Sequence, residues 1–248
     1  MSAAEPDPDE SVLPSRRTWS ERRAEPDRFA LVLTLLVTAY VLSALGSQEW
    51  VQVLVAFLYV GALVVAIRSS RVEGPWRIVV RVVPIVAAIV GALAFALLPR
   101  DDAYGILNAA VAAILITTLV VILDRILRRA AITLQSIFGA LSAYLMIGMI
   151  FTGVFGVIAW LGSGPFFAGG QATSQQSLQY FSYTTLTTLG YGDFTAATFP
   201  GRNIATFEAL VGQVFLATLV ARLVASFTVT PRRSRLGPGT DEPQGPTP

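Results

Sequence analysis

Residues 184–193 read Thr184-Thr185-Leu186-Thr187-Thr188-Leu189-Gly190-Tyr191-Gly192-Asp193, a polar run punctuated by glycine that lies between the last two long apolar segments of the chain. Its neighbours decide the fold. Six apolar windows, Phe29–Leu45, Val51–Ile67, Ile78–Leu98, Tyr104–Leu123, Thr133–Leu161 and Asn203–Thr228, predict six membrane-crossing helices. About twenty residues rising about 1.5 Å each cross the roughly 30 Å hydrocarbon layer. The first two windows are short and joined only by Gly46-Ser47-Gln48-Glu49-Trp50, so they predict a tight helical hairpin. Gly162-Ser163-Gly164-Pro165 stops the fifth helix. Gln175–Thr187 then reads as a short helix with Ser174 as its N-cap. It is too short to span and too polar to face lipid. Backbone at that depth is tolerated only when buried in protein or lining a water-filled path, so the stretch predicts a re-entrant excursion.

Composition supports a membrane protein and narrows its chemistry. The chain has 248 residues, of which 54% are apolar and only 14% charged. It has no Cys and no His, which excludes disulfides, thiol nucleophiles, Cys or His metal sites and a Ser-His-Asp arrangement. Every basic residue is an arginine, and their placement orients the chain. Arg16, Arg17, Arg22, Arg23 and Arg28 precede the first window; Arg68, Arg71, Arg77 and Arg81 follow the second; Arg125, Arg128 and Arg129 follow the fourth; Arg232, Arg233 and Arg235 follow the sixth. The alternate loops hold Glu49, then Arg100 with Asp101 and Asp102, then Asp193 and Arg202. The positive-inside rule then predicts a multi-pass protein of the cell membrane with both termini cytoplasmic and the glycine loop outside. A cleavable signal peptide is the competing reading of the first window; the long leader, acidic as well as basic, argues against it.

Four regions follow. Residues 1–27 and 231–248 are rich in Pro and polar residues and predict disordered cytoplasmic tails. Residues 28–130 predict a peripheral unit of four helices, and residues 131–230 a second unit with the re-entrant stretch between its two long helices.

The run Thr188-Leu189-Gly190-Tyr191-Gly192 resembles the selectivity filter of potassium channels. The resemblance is closest to bacterial six-transmembrane potassium channel family proteins with a single pore loop, of voltage-gated-like architecture but without the arginine-bearing fourth segment. It covers about residues 131–230, which it implies are a pore domain made of outer helix, pore helix, filter and inner helix. Phe138-Gly139-Ala140, Tyr144-Leu145, the stretch Tyr180-Phe181-Ser182-Tyr183 leading into the filter, Glu208-Ala209-Leu210-Val211-Gly212-Gln213 and Ala221-Arg222-Leu223-Val224 carry it. The resemblance implies an all-α membrane protein with a re-entrant pore helix between helices five and six, assembled as a homotetramer with one filter strand per chain. A dehydrated cation needs rings of oxygen in place of its water, and carbonyls repeated around a fourfold axis supply them. By resemblance, the carbonyls of Thr188, Leu189, Gly190 and Tyr191 bind K+, Gly192 closes the filter, and the Thr188 hydroxyl completes the innermost site. Gly190 and Gly192 can adopt the backbone angles this requires because they lack a β-carbon. Tyr180, Thr184, Thr185, Thr187, Asp193 and Glu208 are implied as filter support, with Tyr180 and Phe181 as an aromatic collar. Leu189 stands where Val is commonest, Tyr180 and Phe181 where many relatives carry two Trp, and Thr184 where some relatives carry a Glu paired with the Asp193 position.

Two residues of the sixth window carry two readings each. Gly212 is either a close-packing glycine or a gating hinge. Glu208 either makes a hydrogen bond to the back of the pore helix, at Thr184 or Thr185, or is a proton-sensitive brace on the filter. Helical spacing from Gly212 puts Gln213, Leu216, Val220 and Val224 on one face, as the lining of a cavity and inner gate. The fourth window carries no charge, and voltage sensing needs moving charges worth about 2.3 kcal/mol each per 100 mV, so strong voltage dependence is not expected. The residues after Phe227 are too few for a ligand-binding module. The expected function is passive K+ conduction, with membrane lipids and an unidentified regulatory protein as further partners. Neither a cofactor nor a nucleic-acid partner nor enzymatic activity is expected. The alternatives are a weakly selective cation channel, a potassium transporter subunit and a non-conducting scaffold for pore assembly.

Overall fold

The computed structural model describes residues 28–46, 48–69, 76–127 and 133–228. Both expected tails, most of the arginines used for orientation, and the junction at residues 130 and 131 lie outside them. The described residues form α1 (Phe29–Leu45), α2 (Glu49–Ser69), α3 (Trp76–Leu97), α4 (Arg100–Leu127), α5 (Leu134–Leu161), α6 (Gln175–Leu186) and α7 (Phe199–Thr228). Five of these, α2, α3, α4, α5 and α7, are long and apolar enough to cross a bilayer. The sequence predicted six spans, the first two of them short; α1 keeps the bounds of its window and has 17 residues, about 25 Å of rise. Gly46 ends it in extended backbone, with φ −119° and ψ 127°.

Helix ends follow local chemistry. Thr133 caps α5 by accepting from the Ser136 amide, while the Ser136 hydroxyl answers the Thr133 amide, so two otherwise orphaned donors are satisfied. Gly162 ends α5 in extended backbone. The fourth window predicted a helix from Tyr104 to Leu123; α4 is longer at both ends, with Asp101 and Asp102 favouring its first turn and Arg125 its last.

The closest packing is between α4 and α5, where small residues let the backbones approach. The Trp160 ring lies directly over Gly105, and its Nε1 donates to Asp102 Oδ1 at 3.0 Å. Asn108 of α4 fills the space above Gly156, where a β-carbon would come within 2.5 Å of its side-chain nitrogen. α3 packs only on α4 among the described helices. α1 packs on both α2 and α5 and also reaches α6. One apolar core therefore joins Phe29, Val32 and Leu36 of α1, Val55 and Ala62 of α2, Leu115 and Ile122 of α4, and Met146 and Ile150 of α5. Among the described helices α7 packs on α5 and α6, touches α4 through the Arg222 side chain, and leaves Phe207, Leu210, Val214, Val220 and Val224 exposed along its length.

Candidate functional site: a pore helix and the loop that follows it

α6 starts where Ser174 Oγ accepts from the Ser177 amide at 3.1 Å. Uncharged side chains tie it to its neighbours. Gln176 Nε2 donates to the Gly46 carbonyl at 2.8 Å and Gln179 Nε2 to the Tyr40 carbonyl at 3.2 Å, which fixes the helix to the end of α1. Tyr183 lies on Gly148 of α5, its ring edge to face with Tyr40 at 4.8 Å, and its hydroxyl donates to the Leu145 carbonyl at 2.7 Å. Glycine at 148 is what allows this approach, since a β-carbon there would lie 2.7 Å from the Tyr183 ring.

Beyond Leu186 the chain turns back on the end of α6. The Thr188 amide donates to the Thr185 carbonyl at 2.9 Å, and the Leu189 and Gly190 amides donate to the Thr184 carbonyl at 2.9 and 3.1 Å. Backbone φ is positive at every second residue: 57° at Thr188, 49° at Gly190 and 80° at Gly192. A β-carbon on either glycine would meet nothing within 4 Å, so glycine is required there by backbone angle and not by space. Thr188 is the one described residue other than glycine with positive φ. For a β-branched side chain that is a strained conformation, of the kind that gathers at functional sites. With the amides directed at the helix end, the carbonyls of Thr188, Leu189, Gly190, Tyr191 and Gly192 accept no hydrogen bond among the described residues. The loop is bare in one chain: Leu189 is 55% and Tyr191 68% exposed.

Support comes from behind and from the outer end. Thr187 Oγ1 donates to the Tyr183 carbonyl at 2.7 Å, and Thr184 Oγ1 to the Phe181 carbonyl at 3.0 Å. Thr188 Oγ1 donates to the Thr187 carbonyl at 2.7 Å and accepts from Gln213 Nε2 at 3.4 Å. Asp193 is held three ways: Tyr180 Oη donates to Oδ2 at 2.9 Å, the Phe194 amide to Oδ1 at 3.1 Å, and Gln171 Nε2 to its carbonyl at 2.5 Å. Phe166–Ala168 runs antiparallel to Thr195–Ala197, with the Ala168 amide on the Thr195 carbonyl and the Ala197 amide on the Phe166 carbonyl, both at 2.8 Å. Arg202 Nε secures the same strap through the Ala196 carbonyl at 2.9 Å. Phe155, Phe166, Phe167, Phe181 and Phe194 close ring on ring, and Tyr180 joins through Phe194 at 5.4 Å. The sequence reading had only Tyr180 and Phe181 in this collar. It missed Phe155, Phe166, Phe167, Phe194 and Gln171; the doublet after Pro165 and the aromatic next to Asp193 were the available signals for Phe166, Phe167 and Phe194.

Partial desolvation first, then the hydrogen bond and charge of Asp193, raise the Tyr180 phenol above its usual 10.0. A raised value means that the protonated, donating form is favoured by folding. Its contribution is complete below pH 10 and is lost as pH rises through the higher folded value. Tyr180→Phe removes the donated hydrogen at every pH, so at neutral pH its loop should be less protected from hydrogen exchange than that of the wild type. Equal exchange in Tyr180→Phe and wild type at neutral pH would show that the bond does not brace the loop.

The inner-helix residues fall as follows. Glu208 is fully buried, and it bonds neither Thr184 nor Thr185, the partners that the sequence reading named. Its Oε1 lies in hydrogen-bond contact with Ser182 Oγ at 2.5 Å. The reason is rotational: Ser182 sits on the face of α6 buried between α5 and α7, whereas Thr184 Oγ1 is taken by its own helix. Gly212 is buried against the end of α6, where a β-carbon would lie 2.5 Å from the Leu186 carbonyl oxygen. Gln213, Leu216, Val220 and Val224 share an uncovered side of α7. Arg222 reaches the last turn of α4, donating to the Ile126 carbonyl at 2.6 Å, a favourable place for a cation; its role was not foreseen.

Residues 145–229, from the middle of α5 to the end of α7, match a protein family described as ion channel. No curated protein matches the chain. The match supports an ion channel, and the ion channel family implies oligomeric assembly in general. The apolar helices with this domain support a multi-pass membrane protein.

Proposed function

We propose that the protein is a potassium-selective channel built from four copies of this chain, passing K+ down its gradient. The observation that carries the reading is the row of unpaired carbonyls from Thr188 to Gly192, with left-handed backbone at alternate residues. An unpaired polar group taken out of water costs roughly 1–3 kcal/mol, so once copies pack around an axis and exclude water the row needs a partner, and a dehydrated cation provides one. One chain contributes one strand of oxygens, and rings require copies around an axis. The bare sides of the loop and of α7 suit such an assembly. K+ would bind at the carbonyls of Thr188, Leu189, Gly190 and Tyr191, with the Thr188 hydroxyl at the inner end and Gln213 beside it. Gln213, Leu216, Val220 and Val224 would line the cavity. α1 would cross as a sixth, shorter span, with α6 and its loop re-entrant from outside and both termini cytoplasmic.

Passage is passive, because the loop needs only to replace the water of the ion. No charge lies in α4 between Ala103 and Leu123, so the open probability should change little with voltage. The copy number is tested by native mass spectrometry of the protein released from detergent. Four chains are expected; a monomer or dimer under conditions that preserve activity would contradict the proposal.

A further inference from the structure

The one buried acid of the described inner helix makes a contact that a carboxylate cannot complete. Ser182 Oγ lies between two oxygens, the Gly148 carbonyl at 2.7 Å and Glu208 Oε1 at 2.5 Å. A hydroxyl has one hydrogen and a carbonyl can only accept. If Ser182 donates to Gly148, the Glu208 contact needs a hydrogen from the carboxyl. If Ser182 donates to Glu208, it makes no hydrogen bond to Gly148. Both contacts hold a hydrogen only when Glu208 donates to Ser182 and Ser182 donates to Gly148. We infer that Glu208 is held as the neutral acid, and that this two-bond relay latches inner helix α7 through Ser182 of α6 to Gly148 of α5.

The surroundings agree. Glu208 is fully buried, and its Oε2 has no hydrogen-bond partner. A bare carboxylate oxygen in such a place is far costlier than a bare carbonyl-like oxygen of the neutral acid. No basic side chain pairs with it among the described residues. The titratable groups that face it are Tyr144 of α5 and Tyr183 of α6. The Tyr183 hydroxyl is committed to the Leu145 carbonyl at 2.7 Å and that of Tyr144 to the Leu186 carbonyl at 3.5 Å. Arg202, the nearest cation along α7, is held by the Ala196 carbonyl. The relay sits between the close glycine contacts Gly148–Tyr183 and Gly212–Leu186, so it joins three helices where they already touch. Removal of the proton leaves one hydrogen for two contacts and a buried anion, which frees α7 from the helix that carries the loop. For its consequence in conduction, the latch rests on the channel reading; for its chemistry it does not.

Two measurements separate these. Infrared difference spectra of the purified wild type at neutral pH should contain a protonated-carboxyl C=O band that Glu208→Gln lacks, and that Ser182→Ala moves to higher frequency as the hydrogen bond is lost. No band assignable to Glu208, or a band indifferent to Ser182→Ala, would overturn the relay whether or not the protein conducts. In bilayers, a freed α7 no longer braces α6 and the loop that follows it, so wild-type open probability should fall about tenfold on alkalinisation. Glu208→Gln, whose amide still donates, should conduct at neutral pH and show no such fall. A variant with the full alkaline fall would also overturn it. Wild-type protein without current at any pH would count against the channel reading, and the infrared result would still decide the latch.

Discussion

Gly190→Ser is expected to abolish the preference of the pore for K+ over Na+, or to stop current altogether, while the chains still fold and insert. Gly190 has φ +49°, and a side-chain-bearing residue in left-handed backbone costs roughly 1–2 kcal/mol. Thr188, with φ 57°, already bears such strain in the same loop. In the proposed ring of four the cost would be repeated in every copy, at the positions whose carbonyls would face the ion. The loop's escape is to rotate the peptide on one side of residue 190, which turns a carbonyl away from its ring. α6 should not notice, because the nearest atoms to a β-carbon at 190 are more than 4 Å away. Far-ultraviolet circular dichroism and copy number should match the wild type, with the reversal potential between K+ and Na+ moved toward zero. A Gly190→Ser protein as selective as the wild type would show that the loop does not form the ion-selective path.

Gly212→Ala is expected to act through packing. A β-carbon there would stand 2.5 Å from the Leu186 carbonyl oxygen and 2.8 Å from its Cδ1. The carbonyl belongs to the last turn of α6, immediately before the loop, and backbone cannot step aside as a flexible side chain can. Overpacking of this kind costs about 1–3 kcal/mol, so each chain should lose that much stability and thermal unfolding should begin at a lower temperature. The hinge reading makes a different forecast. A glycine needed only to let α7 bend would, when replaced by alanine, lower open probability and leave the melting temperature unchanged or raised. An unchanged melt with altered gating would therefore favour the hinge over close packing.

How far the chain could be read from its sequence depended on the length scale of each signal. Apolar runs and their arginine flanks marked α2 to α5 and α7, since burial in lipid is written into twenty-residue stretches. Helix ends were less visible. α7 begins at Phe199, four residues before the apolar window, because its first turn is amphiphilic and no hydropathy signal marks it. The shortness of α1 was legible, but its direct hold on α6 was not. Gln176 and Gln179 reach carbonyls 130 and 139 residues away, and nothing in local sequence shows which backbone a glutamine will find. The loop was the most legible part, because glycine spacing reports backbone angle directly. Glu208 was noticed as an acid in an apolar helix, yet its partner Ser182 depended on the relative rotation of α6 and α7. That is a tertiary quantity. The collar's Phe166 and Phe167 likewise arrive through the strap pairing with Thr195–Ala197, which hydropathy does not encode.

The most direct measurement is the reversal potential of the wild-type protein in planar bilayers, with K+ as the only cation on one side and Na+ on the other. A potassium-selective pore predicts a current that reverses near the K+ equilibrium potential. Current that reverses near zero would contradict it, since it would mean that the carbonyl row of Thr188 to Gly192 does not distinguish the two ions.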